Sequence, residues 1–271
     1  MSISEVKKYQ LSLELSKDID VMLEPFKNIG INYFCWSRVG NDRKYAAVCS
    51  NVNWFDHFLQ KKYHKTCSDI EFSAGINDMK IRDCVFWDPE TSISQEMSSN
   101  FNLGNGISFL RKSDTFIDAF HFASTPHNHS VKNYYLSERH VLEQFIFYFQ
   151  DVFSNKIKKI LKENYYSIPI ANNIDSNICL DKDRAITIND FPFKKIYLNG
   201  IEEIDSNKYI TPTEYSVFYY LAQGYKIKRI AIILNKSTRT IETQIDTVKK
   251  RLNLPSNELI LLNLREAQII P

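Results

Sequence analysis

Residues 210–254 read ITPTEYSVFYYLAQGYKIKRIAIILNKSTRTIETQIDTVKKRLNL, and this stretch decides the fold of the C-terminal part of the chain. Thr211 and Glu214 have the spacing of a capping box, in which two side chains satisfy free backbone amides at a helix start. Pro212 suits the first helical position, because its φ is already helical and its missing N–H is not needed there. Gly224 is typical of a helix end, where a left-handed residue is required. The pattern therefore predicts a helix between Thr211 and Gly224.

Two further helices are predicted to follow, joined by a short turn. The segment KIKRIAIIL at 226–234 carries aliphatic residues at helical spacing. Asn235 and Lys236 form the turn, and Ser237 is a favourable cap for the third helix. The inward face of that helix consists of aliphatic residues spaced four, three and four apart, namely Ile241, Ile245, Val248 and Leu252. Two helices joined by a tight turn predict a helix-turn-helix.

The outward face of the third helix carries hydrogen-bonding and basic side chains. Such a face fits the major groove of DNA, where Thr and Gln can contact base edges while Lys and Arg neutralise phosphates. Periodicity alone leaves a generic helical bundle with a solvated polar face as the alternative. The residues predicted to contact DNA are Lys228, Thr238, Arg239, Thr240, Thr243, Gln244, Thr247, Lys250 and Arg251.

This stretch resembles the LuxR-type helix-turn-helix in a register without gaps. The matching residues are Thr211, Glu214, Leu221, Ala222, Gly224, Lys228, Ile230, Ala231, Leu234, Ser237, Thr240, Ile241, Arg251 and Leu252. Three positions depart from the family pattern: Pro212 replaces a Ser or Arg type, Arg229 stands where an acid is usual, and Gln244 stands where His is common. The resemblance implies a dimeric DNA-binding transcription regulator, with SNELILLNLREAQII as the dimer helix of a four-helix domain.

Length and charge indicate two domains of different character. The chain has 271 residues, which exceeds one typical domain. Residues 205–271 hold 10 Lys and Arg against 6 Asp and Glu, whereas the whole chain has a net charge of only +2. A basic tail on a neutral body is consistent with a polyanion-binding module. The predicted boundaries are 1–165 for a sensor domain, 166–206 for a linker, in which FPFKKIYLNG could form a strand or hairpin, and 207–271 for the DNA-binding domain.

Strand and helix patterns alternate through the first domain. INYFCWSRV and RKYAAVCS predict one strand pair, and GISFLRKS and TFIDAFHFAS predict another. NWFDHFLQKKYHK and a long segment from Ser137 to about Asn164 have helical periodicity. The predicted fold class is therefore α+β, with an N-terminal α-β-α sandwich and a C-terminal all-α domain of four helices.

Residues 30–125 resemble the acyl-homoserine-lactone-binding domain found in front of LuxR-type heads. That resemblance includes the stretch at residues 102–109. It implies a set of ligand-binding residues: Trp54, Phe58, Asp69, Trp87 and Ser108. An indole N–H can donate to a lactone carbonyl, a carboxylate can accept an amide N–H, and aromatic walls can hold an acyl chain. The sequence departs from the family where Phe58 replaces a Tyr, Leu110 replaces a Pro, and Ile70 rather than Pro follows Asp69. These departures predict an altered or absent ligand.

Other functions are less well supported by the sequence. No GxGxxG, GxxxxGK or GxSxG motif occurs, so nucleotide cofactors and a serine hydrolase are not predicted. His127 and His129 could place two imidazoles on one strand face, which leaves a metal site as a remote alternative. The prediction is a cytoplasmic, homodimeric regulator without enzymatic activity, cofactor or membrane segment. Its five cysteines are expected to be reduced core thiols.

Two hypotheses for the first domain therefore remain open. In one, it binds a small amphiphilic signal that sets the arrangement of two DNA-binding heads on double-stranded DNA. In the other, its pocket is filled by its own side chains and the domain serves as a protein-interaction or dimerisation module of a ligand-independent regulator.

Overall fold

A computed structural model describes residues 14–40, 44–63, 84–163, 166–167, 192–198 and 208–270. The chain divides into two compact units, and neither is a continuous segment. The first comprises Met1–Ser137 and Val152–Ile186, and the second comprises Glu138–Asp151 and Thr187–Pro271. The predicted boundaries at 165 and 206 remain a prediction, because one long helix contributes to both units.

The first unit is built on an antiparallel sheet whose described strands lie in the order β3-β4-β5-β1-β2-β6. The strands are β1 (Tyr33–Gly40), β2 (Lys44–Cys49), β3 (Cys84–Phe86), β4 (Gly104–Lys112), β5 (Phe116–Ser124) and β6 (Tyr166–Ser167). The two predicted strand pairs are confirmed as β1–β2 and β4–β5. The aromatic and β-branched side chains in these strands suit a pleated sheet that is buried on both faces.

Helices cover both faces of this sheet. The helices of the first unit are α1 (14–22), α2 (Glu24–Lys27), α3 (Val52–Gln60), α4 (Ser92–Phe101) and α5 (Val131–Ser137). On one face, Trp54 of α3 and Met97 of α4 join a buried cluster with Tyr33 and Cys35 of β1. On the other face, Phe26 of α2 lies 6.0 Å from Phe122 of β5, measured between ring centroids. The predicted α-β-α layering and the α+β class are therefore confirmed for this unit.

The second unit joins part of a long helix to a small ladder and four helices. Helix α6 (Arg139–Glu163) supplies its first half, and the ladder pairs β7 (Ile196–Tyr197) with β8 (Tyr209–Ile210). FPFKKIYLNG therefore does contribute a strand, as the sequence allowed. The helices that follow are α7 (Pro212–Ala222), α8 (Ile227–Ile233), α9 (Thr238–Leu252) and α10 (Asn257–Glu266). The predicted C-terminal domain of four helices is confirmed.

The helix ends of this domain follow from local chemistry. Thr211 and Glu214 form the predicted capping box, with the Thr211 amide 2.7 Å from the Glu214 carboxylate. Gly224 lies just beyond α7 with φ +82°, a conformation that glycine adopts without steric cost. Asn253 ends α9 with φ +54°, in the same left-handed region.

The expectation of reduced cysteines is wrong for one pair. Cys35 and Cys49 are direct register partners on β1 and β2, and their sulfur atoms form a disulfide. Their Cα atoms are 4.0 Å apart, although the residues are separated by 14 positions in sequence. Strand pairing creates this proximity, and spacing along the chain does not reveal it. Cys84 is half-buried and is not part of this disulfide, and Cys67 and Cys179 lie outside the described residues.

Within the described segments, no helix has both the length and the apolar character that a bilayer crossing requires.

Candidate nucleic-acid interface and sensor core

The turn between α8 and α9 fixes the start of the predicted recognition helix. Asn235 has φ +52°, and the Lys236 amide donates to the Ala231 carbonyl at 2.8 Å. Ser237 then caps α9 by accepting from the Thr240 amide at 3.0 Å. Beyond this cap, the four aliphatic residues predicted to face inward, Ile241, Ile245, Val248 and Leu252, are all buried. Burial of this face leaves the opposite face of α9 to solvent.

Most of the predicted DNA-contacting residues are exposed on that face or beside it. The exposed members are Lys228, Thr238, Arg239, Thr240, Thr243, Thr247 and Lys250. The Thr243 hydroxyl donates to the Arg239 carbonyl and the Thr247 hydroxyl donates to the Thr243 carbonyl, each at 2.8 Å. Because those protons are used within the helix, the outward lone pairs of both hydroxyls are left as acceptors. Such acceptors match the exocyclic amino groups of adenine and cytosine in the major groove.

Gln244 differs from its neighbours on the stripe. It is half-buried, and its Oε1 atom is buried without a hydrogen-bond partner among the described residues. A buried amide oxygen without a partner is unfavourable. Rotation of the side chain toward a base edge would relieve this cost, so Gln244 remains a candidate base reader.

Arg251, predicted to face outward toward a phosphate, makes its described hydrogen bonds inside the domain, and its contact with DNA stays a prediction. Its guanidinium donates to both carboxylate oxygens of Glu214, at 2.7 and 2.9 Å, and to the Tyr209 carbonyl at 3.2 Å. Helical periodicity does place Arg251 in line with Thr247, but near the end of α9 the long side chain meets α7 and β8. The partners lie 37 and 42 residues away in sequence, so the spacing within α9 could not reveal them.

Glu214 and Arg251 each stabilise the charged form of the other. Burial by itself would raise the pKa of the Glu214 carboxyl, but hydrogen bonds from Arg251 and Thr211 outweigh it and the pKa lies below its usual value. The same hydrogen bonds to Glu214 raise the pKa of Arg251. The charge of Arg251 is therefore compensated inside the domain, whereas Arg239 and Lys250 are exposed for an external anion.

In the first unit, four of the five residues predicted to bind a ligand lie together. Trp54, Phe58 and Trp87 belong to one aromatic cluster on a single face of the sheet. The ring centroids of Trp54 and Phe58 are 5.9 Å apart, and Trp87 donates its indole N–H to the Ser108 hydroxyl at 2.8 Å. Asp69 lies outside the described residues.

A row of polar side chains crosses the sheet beneath this cluster. The Ser108 hydroxyl lies 2.8 Å from His121 Nδ1, and His121 Nε2 lies 3.2 Å from the Ser37 hydroxyl. Because the Trp87 N–H can only donate, a consistent assignment has Ser108 donating to Nδ1 and Nε2–H donating to Ser37. These buried polar groups are therefore satisfied by one another in this structure.

His121 and Ser37 were missed by the sequence analysis. A signal was present, because His121 interrupts the apolar strand AFHFAS and alternates onto the face that Ser108 shares. A buried polar residue within an otherwise apolar strand is more informative than the surrounding hydrophobic residues.

The Trp87 indole is held by contact with a glycine. A Cβ atom added at Gly106 would lie 2.1 Å from Trp87 Cδ2, so only glycine fits beneath the ring. The strand backbone and the indole are in direct contact at this point. Gly106 thus fixes the position of Trp87 and, through its hydrogen bond, of Ser108.

A second polar group joins α3 to α4 beside the cluster. Glu96 Oε1 lies 2.9 Å from His57 Nε2, and the Tyr63 hydroxyl donates to Glu96 Oε2. The hydrogen bond to Glu96 raises the pKa of Tyr63 to about 12. The hydrogen bonds from Tyr63 and His57 in turn lower the pKa of Glu96. This group holds the end of α3 in place.

The two histidines considered for a metal site lie in an exposed turn. His127 and His129 are both exposed, and Asn128 between them donates to the Ile29 carbonyl at 3.1 Å and to the Ser124 hydroxyl at 2.9 Å. The described residues contain no group of three or more His, Cys, Asp or Glu side chains arranged to hold a metal ion. The turn is therefore organised by Asn128.

Comparison with known proteins identifies the C-terminal domain. Residues 208–261 match the family of bacterial regulatory proteins described as the luxR family. No curated protein sequence matches this chain. Among solved structures, the chain is similar to Escherichia coli SdiA at 12% identity and a TM-score of 0.36, covering 98% of this chain and 95% of that one. It is also similar to SdiA in complex with octanoyl-rac-glycerol, at 12% identity and a TM-score of 0.30, covering 99% and 96%. The chain therefore carries, at residues 208–261, a C-terminal helix-turn-helix domain of the luxR family of bacterial regulatory proteins.

Proposed function

We propose that this protein is a homodimeric, sequence-specific DNA-binding transcription regulator that acts in the cytoplasm and whose first unit binds a small amphiphilic molecule. The observation that carries the DNA-binding part is the exposed Thr, Arg and Lys side chains on α9, opposite its buried aliphatic face. Two carboxylates, Glu242 and Asp246, are also exposed on α9, and Lys250 lies one turn beyond Asp246. The Thr, Arg and Lys side chains of this face are suited to a polyanion with hydrogen-bonding groups.

The DNA-binding proposal is tested by measuring affinity against salt. We expect Lys250→Ala to weaken binding to every duplex and to reduce the slope of log affinity against log salt by about one, because one phosphate contact is lost. Lys158→Ala, which removes an exposed cation from α6, is the matched control and should leave the slope unchanged. An unchanged slope for Lys250→Ala would show that this residue does not face DNA.

Sequence selectivity is tested separately at Gln244. A duplex selected from a random pool and an unrelated duplex should bind wild type with different affinities. We expect Gln244→Ala to reduce that ratio by about tenfold while changing the weaker affinity little, because a base contact is worth about 1–3 kcal/mol. Equal losses on both duplexes would show that Gln244 does not read bases.

Self-association is proposed from the surface of α10. Ile260 and Leu264 are buried, whereas Leu259 and Leu262 are 40% and 49% exposed, three residues apart on one side of the helix. Two such leucines on a short helix suit contact with a second copy of the same helix. We expect Leu262→Asp to shift the sedimenting species from dimer to monomer, while Glu258→Asp leaves it unchanged. A wild-type chain that sediments as a monomer would remove this part of the proposal.

The ligand-binding part of the proposal concerns the aromatic cluster. Phe58 is only 8% exposed and contacts Trp54 and Tyr45, so the position lies inside the cluster and lacks the hydroxyl expected from the family. We expect Phe58→Tyr to increase affinity for acyl-homoserine lactones about tenfold, because one buried hydrogen bond is worth about 1 kcal/mol or more. Phe55→Tyr, on the same helix and also buried, is the control. Binding can be followed by tryptophan fluorescence, because Trp54 and Trp87 belong to the cluster.

A ligand-independent regulator is the second candidate. The observation that favours it is the closed hydrogen-bond row from Trp87 through Ser108 and His121 to Ser37, which needs no ligand to satisfy its polar groups. For a ligand-independent regulator we expect full DNA affinity without added ligand, and no thermal shift of the full chain with acyl lactones or cell extract. A clear thermal shift would show instead that the first unit binds a ligand.

A further inference from the structure

One face of α6 contacts the β7–β8 ladder, which precedes the helix-turn-helix in sequence. The side-chain amide of Gln144 donates from Nε2 to the Tyr197 carbonyl and accepts at Oε1 from the Tyr197 amide, both at 2.8 Å. Gln144 is only 4% exposed. Its amide therefore occupies the open edge of β7 as a neighbouring strand would, and satisfies two backbone groups that β8 does not reach.

The same face of α6 also holds the Tyr197 side chain. Phe147 lies 4.8 Å from the Tyr197 ring, and the Tyr197 hydroxyl donates to the Asp151 carboxylate at 3.0 and 3.2 Å. Burial and this hydrogen bond raise the pKa of Tyr197. Gln144, Phe147 and Asp151 are spaced three and four residues apart, so they share one side of the helix. Tyr197 is thereby fixed at its backbone, its ring and its hydroxyl.

The β7–β8 ladder connects Tyr197 with the recognition helix α9. Tyr197 is the register partner of Tyr209, and the two rings are 6.0 Å apart. The Arg251 guanidinium lies 4.6 Å from the centre of the Tyr209 ring and donates to the Tyr209 carbonyl. Arg251 is in the last turn of α9 and is also clamped to Glu214 of α7. Every contact in this series lies within the second unit.

We propose that Gln144, with Phe147 and Asp151, is a positioning group for the recognition helix, acting through Tyr197, Tyr209 and Arg251. The inference rests on the proposed function only in naming α9 as the DNA-contacting element. Helix α6 continues into residues 152–163, which belong to the first unit. A movement of α6 along its axis would therefore reach the C-terminal end of α9 through the contacts of Tyr197, Tyr209 and Arg251, and need not pass through the residues between Leu198 and Lys208.

The test is hydrogen exchange of the full chain without DNA, so that its result does not depend on DNA binding. Gln144→Met keeps the length of the side chain and removes both hydrogen bonds. We expect about tenfold faster exchange in the ladder, Ile196–Tyr197 and Tyr209–Ile210, and in the last turn of α9, because local opening becomes easier. Exchange in α10 should stay at the wild-type rate. Gln150→Met, on the same helix, is the matched control.

A second variant separates positioning from general stabilisation. In an Arg251→Met background the contact with Tyr209 is absent, so Gln144→Met should still accelerate exchange in the ladder but should no longer affect α9. Faster exchange throughout 208–270, or faster exchange confined to the ladder in the wild-type background, would overturn the proposal. If the full chain binds no duplex, the proposed function fails while the exchange result still stands or falls by itself.

Discussion

The charge pair between Glu214 and Arg251 makes a prediction that separates structure from DNA contact. Arg251→Ala leaves the Glu214 carboxylate, whose side chain is 7% exposed, without its cation. Removing one partner of a buried pair costs about 3–5 kcal/mol. Because the Arg251 side chain is 19% exposed, water reaches the vacated site, and we expect a loss at the lower end, about 3 kcal/mol. For a domain of this size that loss lowers the melting temperature by roughly 15 °C.

The assay uses the distribution of tryptophan in the chain. All three Trp residues, at 36, 54 and 87, precede the C-terminal domain. Far-UV circular dichroism of the full chain in urea therefore follows both units, whereas tryptophan fluorescence follows the first. We expect Arg251→Ala to move the dichroism transition of the second unit to lower urea, while the transition seen by fluorescence stays unchanged. Lys250→Ala, which removes the neighbouring exposed cation, should change stability by less than about 0.5 kcal/mol.

A double variant identifies the cause of the loss. Glu214→Gln in the Arg251→Ala background removes the buried charge but keeps an acceptor for the Thr211 amide, and should recover part of the lost stability. If Arg251→Ala instead unfolds at the wild-type urea concentration and loses DNA affinity as Lys250→Ala does, Arg251 is a phosphate contact and the structural assignment is refuted.

Three further predictions concern other points of the structure. Gly106→Ala should destabilise the first unit by about 1–3 kcal/mol, because the added methyl group overpacks against Trp87. The loss should be seen as a lower urea midpoint by fluorescence, and Trp87→Phe should relieve part of it. An unchanged midpoint for Gly106→Ala would contradict the close contact. Ser237→Ala should cost about 1 kcal/mol by removing the cap of α9, whereas Ser237→Asp should retain most of it, both measured by dichroism in urea. The folded pKa of Glu214 lies below the usual value of a glutamate, so its contribution to stability is fully present above the unfolded pKa and is lost as the pH falls through the folded pKa. Wild type should therefore lose more stability than Glu214→Gln as the pH falls below the usual pKa of a glutamate. Parallel pH profiles of the two proteins would contradict this.

The C-terminal domain could be predicted closely because its signals are local. A helix cap, a helix end and an aliphatic stripe each depend on residues within a few positions of one another, as at Ser237, Gly224 and Ile241. The strand pairs of the first unit were also predictable, since the two strands of each pair are close in sequence and are rich in aromatic and β-branched residues. These parts of the fold follow from backbone chemistry and from periodic burial.

The candidate sensor core was predictable only in part. The resemblance to a known domain brought Trp54, Phe58, Trp87 and Ser108 into one set, and the structure places these four together. His121 and Ser37 were not in that set, because their partnership depends on the register of β4, β5 and β1. A one-residue change in register would turn His121 to the opposite face, so its role follows from strand pairing.

The sequence alone determined which segments become helices and strands, and which face of α9 is apolar, because these properties depend on neighbours along the chain. Only the tertiary structure decided what Arg251, Gln144 and the Cys35–Cys49 pair do. Each of these residues meets a partner distant in sequence, and the energetic consequence of a charge, an amide or a thiol depends on what lies within a few ångströms of it in space. A local pattern can place such a side chain on a helix or strand but cannot supply its partner.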